Sequence, residues 1–138
     1  MADFKSFLAI GLQAAQDAER RREEIRQVIA DLDVQVKEAT SGLISIAVEP
    51  WDPTGLNVMM KVLEPKKFHS DTSIVATAVK KKTKEELAKW EQSKNGYPCQ
   101  ISFGTDVFSC EDKGGLENCL GLLLQDPNIG EKIHKLMK

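Results

Sequence analysis

Residues 3–40 read DFKSFLAIGLQAAQDAERRREEIRQVIADLDVQVKEAT. Within this stretch Phe4, Leu8, Gly11, Ala15, Ala18, Arg22, Ile25, Ile29, Leu32, Val36 and Ala39 are spaced alternately by four and three residues, and only Arg22 breaks the apolar or small character of the series. Such a 3.5-residue period marks an amphipathic helix with a coiled-coil-like seam. Glu19, Arg20, Arg21, Glu23, Glu24, Arg26 and Asp31 fall between the seam positions and suit a solvated face. No proline interrupts the pattern, and Gly42 ends it. The spacing therefore predicts one long helix over 1–41, from about Asp3 to about Thr40. At 1.5 Å per residue it would extend ~55 Å, well beyond the width of a small domain. Part of it must overhang the domain or lie against another chain.

The seam is not uniform. Gly11, Ala15 and Ala18 permit close helix approach but bury little area. Ile25, Ile29, Leu32 and Val36 carry the aliphatic surface, and burial at ~25 cal/mol per Å² would make them the adhesive half. The expected self-association residues are therefore Leu8, Ala15, Ile25, Ile29, Leu32 and Val36, with the weight on Ile25 to Val36 unless the adjoining sheet claims that stripe first. Arg22 is costly in a seam unless it reaches a Glu or extends its head to water.

Residues 42–138 read as a sheet with short helices. Leu43–Val48 alternates with Ile44, Ile46 and Val48 on one face. Pro50, Trp51, Asp52, Pro53 and Gly55 make a turn, and Leu56–Leu63 is expected to be the next strand. Ser73–Val79 is a third. Thr83 and Glu86 match a capping box, so a short helix is expected from Thr83, with Leu87 and Trp90 on one side and Asn95-Gly96 as its stop. Tyr97–Phe103 and Val107–Cys110 read as a hairpin. With Thr105 and Asp106 at its tip, Phe103 would pair with Phe108 and Ile101 with Cys110. Cys99, Ile101, Phe103, Phe108 and Cys110 would then share an apolar face. Leu116, Cys119, Leu120, Leu123 and Leu124 form a helical stripe. Asp126-Pro127 restarts a last helix, with Asp as N-cap and Pro at N1.

The expected class is α+β in one domain, residues 1–138: a long amino-terminal helix and about five mainly antiparallel strands covered by helices on one face. The element order of helix, three strands, helix, two strands and helices is similar to that of the small acidic chaperones of type III secretion. That resemblance implies a homodimer that wraps an unfolded segment of a secreted partner. The long first helix departs from it.

The 138-residue length fits one domain with its own core, and a net charge of −2 gives no global attraction to nucleic acid or an anionic membrane. The three cysteines lack framework spacing, and the amino terminus has no basic signal region. A reducing, cytoplasmic compartment with free thiols is expected.

No residue pattern points to catalysis. Cys99, Cys110, Cys119 and His134 lack the close ligand pairs of a zinc site, and His69 and His134 read as surface histidines. Gly114-Gly115 lacks the Lys-Ser/Thr of a phosphate loop. No cofactor or metal is expected. The basic runs Arg20-Arg21-Arg22 and Lys80-Lys81-Lys82 with Lys84, joined by Lys66-Lys67, are the only nucleic-acid candidates, and neighbouring Glu19, Glu23 and Glu24 offset the first. Trp51 is a candidate contact for a protein partner. The leading expectation is a non-enzymatic interaction module that forms homo-oligomers, with a dimer favoured, through its first helix. Capture of another protein comes second, and nucleic-acid association third.

Overall fold

The computed structural model describes residues 2–51 and 72–138. Its elements are α1 (Phe4–Ala39), β1 (Ile44–Pro50), β2 (Thr72–Ala78), β3 (Thr83–Ser93), β4 (Gly96–Phe103), β5 (Asp106–Cys110), α2 (Lys113–Gln125) and α3 (Pro127–Met137). The strands form one antiparallel sheet in chain order, β1 to β5. The fold is thus α+β, as the sequence pattern predicts. The strand expected over Leu56–Leu63 lies outside the described residues, as do His69, Lys66 and Lys67.

One apolar core joins the sheet to the three described helices. Ile44 and Ile46 of β1, Ile74 and Ala76 of β2, Ala88 and Trp90 of β3, and Cys99 and Ile101 of β4 supply the sheet side. Ile25, Val28 and Val36 of α1, Leu116, Leu120 and Leu123 of α2, and Ile129 and Leu136 of α3 cover them. The alternation seen in the sequence puts these strand residues on one face, because successive side chains point to opposite sides of a sheet.

Each helix end has a local cause. The Asp3 carboxylate accepts the Ser6 amide (3.2 Å) and the Ser6 hydroxyl (2.6 Å) at the start of α1. At its end Gly42, with φ +80°, donates its amide to the Lys37 carbonyl at 2.7 Å, a turn that favours glycine. Asp112 caps α2 through the Gly115 amide, and Asp126 caps α3 through the Asn128 amide with Pro127 at its first position.

The segment from Thr83 is not a helix. It is β3, which pairs with β2 on one side and with β4 on the other. Its Lys, Glu, Ala and Leu residues favour a helix locally, but this strand supplies the ladder partners that two neighbours need, and tertiary pairing overrides propensity. The register shifts at Ile74/Val75, so Leu87 has no residue opposite it and forms a bulge. This lets the consecutive Leu87 and Ala88 both enter the core, at 3% exposure each. The three-residue spacing of Leu87 and Trp90, which resembles a helical face, arises from that bulge. Glu86 does not close a capping box; it accepts the Ser73 hydroxyl across the strands at 2.6 Å. The element order therefore differs from the one likened to secretion chaperones by a strand in place of the middle helix.

The β4–β5 hairpin is present with its tip moved back by one residue, to Gly104-Thr105, where Gly104 has φ +63°. Ile101 pairs with Phe108 and Cys99 with Cys110, two positions from the expected register. A shift of two preserves parity, so the apolar face is the one read from the sequence. Phe103 and Phe108 stack diagonally with ring centroids 5.3 Å apart.

Candidate interaction surface

The long helix is divided where the β3–β4 turn meets it. Gly96 has φ +98°, and a Cβ there would lie 2.7 Å from Cβ of Arg21 and 3.3 Å from its carbonyl carbon. Only glycine allows this approach of turn to helix. Arg22 closes the junction: Nη1 donates to the Lys94 carbonyl at 2.6 Å, and Nη2 meets Glu19 at 3.0 Å. The residue that breaks the apolar seam thus sits at the junction, and Ala18, one turn further toward the amino terminus, is the last buried residue before the overhang. Just beyond Arg22, the Tyr97 hydroxyl donates to Glu24 at 2.7 Å. Burial and then the Glu24 carboxylate push this phenol above its ordinary pKa.

Carboxy-terminal to the junction, α1 lies on its own sheet. Ile25 and Val36 are buried, and Ile29 and Leu32 pack against the core. Four of the six residues expected to carry self-association therefore have partners within the chain.

Amino-terminal to it, every residue from Phe4 to Gln16 is exposed. This overhang projects about 20 Å beyond the docked part of the helix. Phe4 (73%), Phe7 (62%), Leu8 (63%), Ile10 (68%) and Leu12 (55%) are large apolar side chains in water. There is no charged residue between Lys5 and Asp17. Leu8 and Ala15, the other two expected residues, lie here. Phe7, Ile10 and Leu12 stand outside the strict seam and were missed by a search for its period alone. Their signal is the density of large apolar residues in a charge-free stretch.

The edge of β1 that pairs with no described strand offers little to an added strand over its first half. The Ile44 amide donates to the Thr40 hydroxyl at 3.1 Å, and the Ile46 amide to Asp33 Oδ1 at 2.9 Å. Asp33 also accepts the Ser45 hydroxyl at 2.9 Å and meets Lys37 at 3.0 Å. Burial pushes the Asp33 carboxyl up, but the Ile46 amide, Lys37 and Ser45 outweigh it and hold it below its ordinary value. Proteins commonly blunt an edge strand by covering it; here the helix supplies acceptors for the outward amides. A cleft of about 430 Å³ remains between α1 and the sheet, lined by Ile25, Ile29, Ala30, Ile46, Val48 and Trp90 among others. Trp51, just past β1, is half-buried.

The lysine cluster divides. Lys80, Lys81 and Lys82 occupy the β2–β3 turn, with Lys82 at φ +57°. Lys81 donates to the Lys138 carbonyl, and Lys84 pairs with Glu49 at 2.8 Å. In the arginine run, Arg20 meets Asp17 at 3.3 Å and Arg22 meets Glu19. Carboxylates thus meet Lys84, Arg20 and Arg22, while Lys80, Lys81 and Lys82 lie exposed together in one turn.

The three cysteines are buried and free. Cys99 and Cys110 face each other across the β4–β5 ladder. Burial pushes the Cys99 thiol up to about 11, and burial together with a hydrogen bond to Cys119 pushes Cys110 up to about 12. Thiols held protonated in this way are poor nucleophiles and poor metal ligands at neutral pH. His134 is exposed on α3. Among the described residues no group of His, Cys, Asp and Glu has the geometry to hold a metal ion, and no helix is long and apolar enough to cross a membrane.

No protein-family model matches the chain, and no curated protein or solved structure matches it.

Proposed function

We propose that this chain is a non-enzymatic protein–protein interaction module that forms a dimer through the amino-terminal half of α1. One observation carries the reading: the apolar seam continues past the junction at Arg22, where Phe4 and Leu8 carry it into solvent, and Phe7, Ile10 and Leu12 around it are exposed as well. Five large apolar side chains, each more than half exposed within one short stretch, exceed the scattered single residues that ordinary monomers leave in water. A helix pair of this length makes a small interface, which favours micromolar affinity. The three buried free thiols support a reducing, cytoplasmic setting.

Light scattering over a concentration series tests the proposal. The expected result is a mass that rises from monomer to dimer across the micromolar range, with Leu8→Glu holding the chain monomeric without unfolding it. A monomer at all concentrations up to about 1 mM, where even weak pairs form, would remove the reading.

Capture of a segment from another protein is the second reading. It draws support from the apolar cleft between α1 and the sheet, with Trp51 near the end of β1. Capped amides at Ile44 and Ile46 weigh against strand addition there, so an inserted apolar side chain is the fitting mode.

A further inference from the structure

We infer that the two overhangs pair antiparallel, about a two-fold axis between Ala9 and Ile10, with Phe4 of one copy over Ala15 of the second and Leu8 over Gly11. This rests on the proposed self-association and specifies its geometry.

The first argument is steric. Phe4, Leu8, Gly11, Ala15 and Ala18 share the side of the helix that, from Ile25 onward, lies on the sheet. The chain's own sheet and its β3–β4 turn therefore occupy the apolar side of α1 from about Ala18 to the carboxy terminus of the helix. Two parallel helices facing each other along that side would bring both sheets into one space. In an antiparallel pair the sheets lie at opposite ends. Each overhang then fills the open shelf beyond the other copy's turn, and the length available runs from Phe4 to about Gln16 on each copy.

The second argument is size. The large seam residues, Phe4 and Leu8, lie at the free end, and the small ones, Gly11 and Ala15, lie toward the domain. Antiparallel pairing sets large over small at every layer, which allows close packing without voids. A Cβ added at Gly11 would meet nothing within 4 Å among the described residues, so they do not demand glycine there. A Leu8 side chain from a second copy gives it a role. The contact is isologous and closes at two copies, so it builds no filament.

Nitroxide labels on Ala9→Cys and Gln16→Cys in the full chain test this by pulsed dipolar spectroscopy; both positions are exposed, whereas the native thiols are buried. Both lie on the same flank of the helix. At 1.5 Å per residue the antiparallel pair separates the two Gln16 positions by about 20 Å along the axis and the two Ala9 positions by about 2 Å. The expected result is a clearly longer distance at Gln16 than at Ala9. Equal distances would mean a parallel pair and overturn the inference while leaving self-association standing, and a longer distance at Ala9 would overturn it too. Absence of dipolar coupling at both sites, with a monomeric mass, would overturn the inference and the reading beneath it.

Discussion

The two halves of α1 obey one sequence rule and meet opposite fates. From Ile25 to Val36 the apolar stripe is met by the sheet, and the side chains there are buried or half-buried. From Phe4 to Gln16 the same stripe is exposed and meets nothing among the described residues. The dividing line is set by the β3–β4 turn, which touches the helix at Arg21 and Arg22 through Gly96 and Lys94. A hydrophobic period thus reports that a face will be covered, but not by what. The more aliphatic half has the stronger claim on the nearest sheet, which leaves the half with fewer bulky seam residues exposed.

Substitutions on either side of the line should separate sharply. Ile25→Ala removes a side chain that is 2% exposed in the core and should destabilise the chain by about 2–5 kcal/mol. Leu8→Ala in dilute solution should change stability by less than about 0.5 kcal/mol. Urea denaturation below the association range measures both, and equal losses would abolish the distinction between the halves.

Gly96→Ala attacks the line itself. The new Cβ meets the Arg21 Cβ and the backbone beside it, at a φ that alanine rarely adopts. A loss of about 2 kcal/mol is expected by the same denaturation, with the strain of overpacking and of the left-handed backbone acting together. An unchanged midpoint would mean that the turn is not what holds the helix.

Asp33→Asn should have a smaller effect, about 1–2 kcal/mol, from loss of charge-assisted bonds to the Ile46 amide, Ser45 and Lys37. The direction with pH follows from the lowered carboxyl. Its contribution is full above the unfolded value of about 3.9 and is lost as pH falls through the lower folded value. The stability difference between wild type and Asp33→Asn should therefore shrink below about pH 4. A difference that stays constant to pH 2 would show that the carboxylate charge contributes nothing at this corner.

Much of the frame was legible in the sequence because it rests on local periodicity and local chemistry. The helix, the strand alternation around Ile44 and Ile46, the Asp126-Pro127 restart and the shared face of Cys99, Ile101, Phe103, Phe108 and Cys110 all belong to this kind. Thr83–Ser93 was not legible, because its helix-forming residues are overruled by strands distant in sequence, and the bulge at Leu87 gives it a helical spacing. Gly96 reads as a helix stop, and only the folded chain reveals that it sits against Arg21. Asp33 looks like one more charge on a solvated helix until β1 presents the Ile46 amide to it. Of the six residues expected to carry self-association, Ile25 and Val36 are buried in the chain's own core. Which surface would bury each half depended on where the β3–β4 turn falls.

Hydrogen exchange at low and high protein concentration tests the central claim most directly, because it reads both halves of α1 in one experiment. The overhang is exposed and no described residue packs against it, so its amides should open easily in the monomer, whereas the docked half should be shielded throughout. The account predicts that amides from Phe7 to Gln16 exchange fast when dilute and become protected as concentration rises, while those from Ile25 to Val36 stay protected at both. Protection that rises with concentration in Ile25–Val36, or an overhang indifferent to concentration, would contradict it.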